Sequence, residues 1–127
     1  MRYLMLVTAH KDYEAGQPPD AGLVAAMGNL IGDAVKSGKL IDTAGLLPTS
    51  HGTRIRVANG KLSITDGPFA ETKEQIGGYA LFNLSSKEEA LKLGRDFMQL
   101  HVDHLGKSYE GLLEIRPIGD PPPNFKS

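Results

Sequence analysis

The chain alternates between short apolar runs and longer segments with apolar residues at helical spacing, an order that predicts strands interleaved with helices. Apolar or alternating runs bounded by turn residues predict strands, and an apolar stripe repeating every three or four residues predicts a helix. The predicted strands cover residues 2–8, 39–47, 53–57, 61–65, 76–84 and 112–118. Asp20 and Gly38 delimit one predicted helix, because they suit its N-cap and the position just past its end. Ser85 and Ser86 precede Glu88 and Glu89 at capping-box spacing, so the second predicted helix starts there and ends near Gly106.

The strongest local signal is the Asn59-Gly60 pair between two alternating runs. Both central residues of a type I′ turn need positive φ, which Asn and Gly tolerate best, so a β-hairpin is predicted here. In the run before the turn, arginine alternates with aliphatic residues. One face of the predicted hairpin is therefore basic and the other apolar.

The order of elements is βαβ, a hairpin, and βαβ again, which predicts a ferredoxin-like α+β fold. Both helices then lie on one face of an antiparallel sheet. No repeat or long linker divides the chain, so residues 1–127 form one predicted domain with a proline-rich tail at 119–127. The second sheet face has no predicted cover. An open apolar face favours association with a second copy, so we expect a homodimer that closes sheet on sheet.

Composition narrows the classes of function. The chain has 127 residues, with 40% hydrophobic and 23% charged, as in an ordinary folded domain. Fourteen basic and fifteen acidic residues leave a net charge of −1, so we expect neither nucleic acid nor a membrane surface as partner. The absence of cysteine excludes disulfides and thiolate chemistry. No segment reads as a signal peptide or membrane span, and a cytoplasmic location is the expectation.

The segment 66–74 reads DGPFAETKE and is the most distinctive part of the chain. Its first three residues suit a rigid turn, because Asp can bond its own backbone, Gly tolerates unusual dihedral angles and Pro fixes φ. With residues 77–79, this segment closely resembles the signature of the YCII-related family, specifically its DGPF-motif branch. The resemblance extends to residues 54–56, 59–60 and 114–117. It implies a dimeric ferredoxin-like α+β barrel.

Some members of the wider family resemble enzymes that use a His-Asp pair, including a dehydrochlorinase of a chlorinated hydroquinone. The family places that histidine near the start of the first helix. Residues 19–23 of this chain contain no histidine, so the pair is not carried over. Members of the DGPF branch also resemble proteins encoded beside extracytoplasmic-function sigma factors, which implies a regulatory context.

Charged residues in and around the motif are the first candidate site. Asp66, Glu71 and Lys73 place two carboxylates and an ammonium group beside a rigid turn, where perturbed pKa values can support proton transfer. Alternatively, Asp66 shapes the turn and the other charges face water. The ligand-binding candidates are Arg54, Arg56, Phe69, Glu71, Lys73 and Tyr79.

Two isolated histidines are weaker candidates. His10 follows the first strand and Asp12 comes two residues later, so His10 can act as a general base oriented by a carboxylate. The alternative is a solvated loop histidine. His51 has the same two interpretations.

Two further clusters have both a functional and a structural interpretation. Arg54 and Arg56, with Glu114 and Arg116, form either an anion-binding cluster or a set of cross-strand ion pairs.

His101 and His104 have the spacing that lets two helical histidines reach one metal ion. No third ligand has a recognisable spacing, so we predict no metal and no cofactor, and we expect His101 to pack partly on the apolar helix face.

These observations favour a small-molecule cleft between the sheet and the hairpin–DGPF region. One hypothesis is a cofactor-free proton-transfer or elimination enzyme, with Asp66 or His10 as base and Arg56 binding a substrate anion. The alternative is a non-catalytic ligand-binding or regulatory interaction module, whose pocket needs no acid–base pair. A third interpretation, a dimerisation scaffold, predicts no pocket of small-molecule size.

Overall fold

A computed structural model describes residues 1–69 and 75–124. The strands are β1 (Arg2–Thr8), β2 (Leu40–Gly45), β3 (Thr53–Ala58), β4 (Lys61–Asp66), β5 (Ile76–Asn83) and β6 (Leu113–Pro117). The helices are α1 (Lys11–Glu14), α2 (Ala21–Lys36) and α3 (Lys87–Leu105), and a 3-10 turn covers Thr49–His51. The predicted order of βαβ, hairpin and βαβ is confirmed.

Four strands form the main sheet in the order β2-β5-β1-β6, and every neighbouring pair is antiparallel. Leu4 pairs with Leu81 and Met5 with Ala80 across the two central strands. Directly paired residues point to the same face, so Met5 and Ala80 face the helices while Leu4 and Leu81 face away. With both helices on one side, this is the ferredoxin-like α+β fold that the sequence predicted.

Local side-chain caps explain where the long helices begin. The Asp20 carboxylate accepts a hydrogen bond from the backbone N–H of Leu23 at 2.9 Å, and Ser86 Oγ accepts one from the N–H of Glu89 at 3.1 Å. Each bond satisfies an amide that has no partner within its helix. Gly106, with φ 82°, follows α3 as the sequence predicted. No helix in the described ranges is long and apolar enough to cross a membrane.

The apolar core lies at one end of the layer between helices and sheet. Tyr3, Met5 and Phe82 from the sheet meet Ala34 of α2 and Ala90 of α3 there. A cavity begins beside this core, since Met5, Phe82 and Ala34 also line it, and extends between helices and sheet to where β1 finishes and α3 approaches its C-terminus. The packed end holds the layers together and leaves the other end open for a site.

The strands β3 and β4 form a separate two-stranded sheet, which we call the arm (residues 53–66). Asn59 and Gly60 have φ of 52° and 73°, as the predicted hairpin turn requires. Directly paired aliphatic side chains share one arm face and are 68–72% exposed: Ile55, Val57, Leu62 and Ile64. Within the described part of the chain, no other element covers this face.

Candidate functional site

A cavity of about 600 Å³ lies between the helix-facing side of the sheet and helices α2 and α3. Its apolar walls include Met27 and Leu30 from α2, Leu93 and Phe97 from α3, and Val7 from β1. The sequence analysis expected a cleft between the sheet and the hairpin–DGPF region, and residues 70–74 of that region lie outside the described residues.

Small residues on β2 and β5, the two strands beneath α2, leave room for the cavity. The lining residues on these strands include Thr43, Ala44, Gly45, Gly77, Gly78 and Ala80. Large side chains there would fill the gap between helix and sheet, as they do at the packed end. The two runs of small residues are a sequence signal for this site, and the sequence analysis did not use it.

His101 lies in the cavity wall and only 8% of its surface is exposed. Its Nδ1 is 2.9 Å from the carbonyl oxygen of Phe97, one turn earlier in α3. A carbonyl oxygen only accepts, so Nδ1 carries the hydrogen and Nε2 keeps a free lone pair in the neutral ring. Burial lowers the pKa of His101, which favours that neutral form. No described residue donates a hydrogen bond to Nε2.

Tyr109 lies beside His101, with the two ring centroids 5.2 Å apart. Its hydroxyl oxygen is buried and has no hydrogen-bond partner among residues 1–69 and 75–124. Burial raises the pKa of Tyr109, so the phenol stays protonated near neutral pH. The Tyr109 hydroxyl is enclosed by protein atoms beside Gly111, whereas Nε2 of His101 is an acceptor with no partner among the described residues.

His10, a predicted catalytic residue, also lines the cavity, and its ring stacks on Tyr109 at 6.0 Å. Its Nδ1 accepts a hydrogen bond from the N–H of Asp12 at 3.2 Å, which makes His10 the N-cap of α1. The Asp12 carboxylate is 3.6 Å from the same nitrogen. Because Nδ1 is the acceptor, the neutral ring carries its hydrogen on Nε2, and its lone pair is already in use.

Asp66 and its neighbours close the base of the arm. Asp66 Oδ1 accepts a hydrogen bond from Thr53 Oγ1 at 2.9 Å across the strand pair. A Cβ added to Gly67 would overlap the carbonyl of Thr49, so only glycine fits there. The N–H of Phe69 donates to Thr49 Oγ1 at 3.2 Å. Among the described residues that line the cavity, Asp66 is absent.

The base of the arm is tied to α1 through Thr49. The Glu14 carboxylate accepts hydrogen bonds from the N–H of Thr49, at 3.0 Å, and from its hydroxyl. The Arg54 guanidinium lies 3.8 Å from the ring centroid of Phe69, a cation–π contact. Residues 66–69 of the motif therefore help to fix the position at which the arm leaves the main sheet. Glu71 and Lys73 lie outside the described residues.

Of the other candidate residues, Tyr79 is among those that line the cavity, whereas Arg56, Glu114 and Arg116 are not. Arg56 is exposed on the arm. The Tyr79 hydroxyl donates to Asp42 at 2.8 Å on the open sheet face, and this bond raises the pKa of Tyr79. Glu114 and Arg116 pair with each other at 2.8 Å on β6. The predicted four-residue charge cluster is thus divided between the arm and the main sheet.

The remaining two histidines are both exposed. His104 repeats the arrangement of His101, with Nδ1 2.9 Å from the carbonyl oxygen of Leu100, but it is exposed. His51 is exposed at the end of the 3-10 turn. Within the described ranges, no group of three or more acidic or histidine side chains is placed to hold a metal ion.

Comparison with known proteins gives one family. The family model for the YCII-related domain matches residues 1–99. An uncharacterised protein of Rhizobium meliloti (strain 1021) is 38% identical over 84 residues, which are 66% of this chain and 63% of that relative. The match thus spans less than two thirds of the relative's length. The family match ends at residue 99, before His101 and Tyr109.

Proposed function

This chain belongs to the YCII-related family, and we propose that it binds a small, mainly apolar molecule in the cavity between the sheet and helices α2 and α3. Within the family, residues 66–69 support assignment to the DGPF-motif branch. We also propose that the protein is a homodimer whose subunits pack against each other through the open face of the main sheet.

The cavity is the observation that carries the ligand proposal. Its volume of about 600 Å³ lies within the range of small-molecule sites, roughly 300–1,000 Å³. Aliphatic and aromatic side chains form most of its wall, so binding would remove apolar ligand surface from water. A few polar groups gathered at one end can orient the molecule.

The geometry favours ligand binding over proton transfer by the residues that the sequence suggested. Arg56 is on the arm, and Asp66 closes its base through Thr53. His10 reaches the cavity, but its lone pair already accepts from the backbone of Asp12. These three residues do not converge on a ligand in the cavity as base and anion-binding group.

A cavity-filling substitution tests the ligand proposal. Ala34 is 8% exposed and lines the cavity, so Ala34→Leu would occupy part of it. Ala25→Leu makes the same change at an exposed position of α2 and serves as the control. We would screen a library of apolar small molecules, including 2-methoxynaphthalene, for a rise in Tm, since binding to the folded state raises stability.

Compounds that raise the Tm of the wild type should lose this effect in Ala34→Leu and keep it in Ala25→Leu. Ala80→Val, also in the cavity wall, provides a second and smaller filling substitution if Ala34→Leu folds poorly. Equal responses in the filled variants and the control would contradict binding in this cavity.

The open face of the sheet supports the dimer proposal. Leu4, Leu6 and Leu81 lie at its centre, and Tyr79 and Asp42 form a hydrogen-bonded pair beside them. The chain exposes 9218 Å². A folded monomer of this mass is expected to expose about 6,600 Å², and a standard interface buries about 800 Å² per partner. The difference between the exposed and the expected area is larger than the area that one partner buries in a standard interface.

A further inference from the structure

We propose that His101 is a general base in the cavity and removes a proton from the carbon next to the carbonyl group of a mainly apolar ketone. The reaction class is keto–enol isomerisation. This inference rests on the proposed function, because it places the substrate in the same cavity between the sheet and helices α2 and α3.

The imidazole of His101 is held in one orientation. Its Nδ1 donates to the carbonyl of Phe97 at 2.9 Å, and the rings of Phe97 and Tyr109 pack against it with centroids 4.8 and 5.2 Å away. Since Nδ1 carries the hydrogen, Nε2 keeps the lone pair of the neutral ring. A base held in this way loses little freedom when it meets a substrate.

Nε2 of His101 is accessible although the side chain as a whole is buried. Within residues 1–69 and 75–124, the buried side-chain atoms without a hydrogen-bond partner are Gln75 Oε1 and the Tyr109 hydroxyl oxygen. Nε2 also has no partner there but is not one of these buried atoms, so it keeps accessible surface. Because His101 lines the cavity and is only 8% exposed, this surface faces the cavity. A bound ligand can therefore reach Nε2 directly.

The charges around the cavity favour a neutral substrate. The described lining residues include the carboxylates of Asp12 and Asp20 but no lysine or arginine. An anionic substrate would therefore lose hydration without gaining a cation. Burial lowers the pKa of His101, so its ring is in the neutral, basic form near neutral pH. The most acidic C–H groups of neutral apolar molecules lie next to a carbonyl, which is why an apolar ketone suits this base.

The proton transfer needs no other reactant. Nε2 of His101 takes the proton, the electron pair of the broken C–H bond forms a C=C bond, and the π pair of the C=O bond moves to oxygen. The enolate then lies beside an imidazolium cation, and this attraction is strong in an apolar, water-poor cavity. Return of the proton to oxygen gives the enol, and return to carbon gives back the ketone. Nothing is oxidised or reduced.

Deuterium exchange into 2-tetralone tests the base. This apolar bicyclic ketone has an acidic methylene group between its aromatic ring and its carbonyl, and NMR in heavy water measures the replacement of those hydrogens by deuterium. Wild-type protein should exchange them at least about tenfold faster than an equal concentration of free imidazole, because the cavity positions the substrate at the base. 2-Methoxynaphthalene has a similar ring system without a carbonyl, so it should bind and inhibit the exchange.

Three variants separate the base from the cavity. His101→Asn keeps a side-chain N–H but has no basic nitrogen, so the protein-catalysed rate should fall by at least about tenfold while the Kd for 2-methoxynaphthalene changes by less than about threefold. His104→Asn should keep the rate, because His104 makes the equivalent bond to Leu100 but is exposed and does not line the cavity. Ala34→Leu should reduce both exchange and binding.

The pH dependence of exchange by the wild type needs no variant. The basic form of His101 is lost as pH falls through its folded pKa, which burial holds below the ordinary 6.5, so the half-maximal rate should lie below about pH 6.5. The titratable neighbours of His101 are His10 and His104, whose charges lower its pKa, and Tyr109, besides the two carboxylates of the cavity wall.

The outcomes distinguish this inference from the proposed function. Exchange no faster than with free imidazole, an unchanged rate in His101→Asn, or a half-maximal rate above pH 6.5 would each overturn the assignment of the base. Binding of 2-methoxynaphthalene to the wild type but not to Ala34→Leu would in those cases leave the cavity as the binding site. Binding of neither 2-tetralone nor 2-methoxynaphthalene would overturn both proposals.

Discussion

The two cavity histidines differ in which ring nitrogen carries the hydrogen, and backbone partners set this difference. His10 Nδ1 accepts from the N–H of Asp12, whereas His101 Nδ1 donates to the carbonyl of Phe97. As a result, the neutral rings offer opposite chemistry at Nε2: a donor in His10 and an acceptor in His101. The role of each residue follows from its local backbone rather than from its residue type.

His101 should make stability depend on pH. Burial lowers its pKa in the folded protein below the ordinary value of 6.5, so the unfolded chain binds more protons in the window between the two values. Its contribution to stability is therefore fully present above about pH 6.5 and is lost as pH falls towards the folded pKa. Among the described residues, His10 and His104 also lower this pKa, and the Tyr109 ring packs against the imidazole.

Urea unfolding at a series of pH values between about 5 and 8 measures this effect. His101→Asn should reduce the loss of unfolding free energy below about pH 6.5, and His104→Asn should retain most of it. An unchanged slope in His101→Asn would contradict the assignment of this pH dependence to His101.

At Thr49, one hydroxyl connects the DGPF segment to α1. It accepts from the N–H of Phe69 and donates to the carboxylate of Glu14. Thr49→Val keeps the shape but leaves both partners without this bond, so we expect a loss of about 1–3 kcal/mol in unfolding free energy. Thr65→Val, at an exposed arm position, should change it by less than about 0.5 kcal/mol. Comparable losses in chemical denaturation would show that Thr49 has no special role.

At the scale of elements, the arm is a hairpin with no core of its own. An isolated two-stranded sheet is marginally stable in water, and the aliphatic face of this one is 68–72% exposed. The hydrogen bonds at its base fix its direction but cover none of that face. We infer that a second copy of the chain covers this face in the proposed dimer.

A charge on the aliphatic arm face tests this inference. Ile64 is 72% exposed, so Ile64→Lys should cost the separate chain little and weaken the dimer by at least about tenfold through desolvation of the charge. Thr65→Lys places the same charge on the opposite face and should leave the dimer intact. Analytical ultracentrifugation measures both, and an unaffected dimer in Ile64→Lys would exclude this face from the interface.

The fold was predictable where local signals determine it. Asp20 and Ser86 cap helices, and Asn59-Gly60 closes the hairpin, each through contacts within a few residues. The four residues of α1 were not predicted, because so short a helix has no periodicity. The predicted strand over 39–47 also extended beyond β2 at both ends, since strand ends depend on pairing partners.

The site was less predictable, because it depends on contacts between distant elements. The sequence analysis identified His10, which lines the cavity, and assigned His101 to packing. It did not identify Tyr109, because a lone tyrosine after a helix has no pattern that indicates a ligand. The cavity itself needs small residues on two strands that pair only in the folded sheet, β2 and β5.

For the whole molecule, the open sheet face is where we propose that a second copy docks. Leu6 lies on that face, paired with Tyr79 of β5 and with Glu114 of β6. Leu6→Asp should convert the proposed dimer to monomer at micromolar concentration, because the carboxylate would be buried without a partner. Leu91→Asp, at a position of α3 that is 46% exposed, is the matched control. Light scattering coupled to size exclusion distinguishes the two, and a dimeric Leu6→Asp would place the interface elsewhere.

Helix α1 is only four residues long, yet its two ends serve different parts of the molecule. His10 caps its start and faces the cavity, and Glu14 at its end holds Thr49 at the base of the arm. A ligand that moves His10 would therefore reorient the arm as well. If the arm contacts a second copy, ligand binding and subunit association are linked by a coupling free energy. Ligand binding then changes the dimerisation constant by the same factor by which dimerisation changes the ligand affinity. A metabolite could then control how many of these proteins are paired.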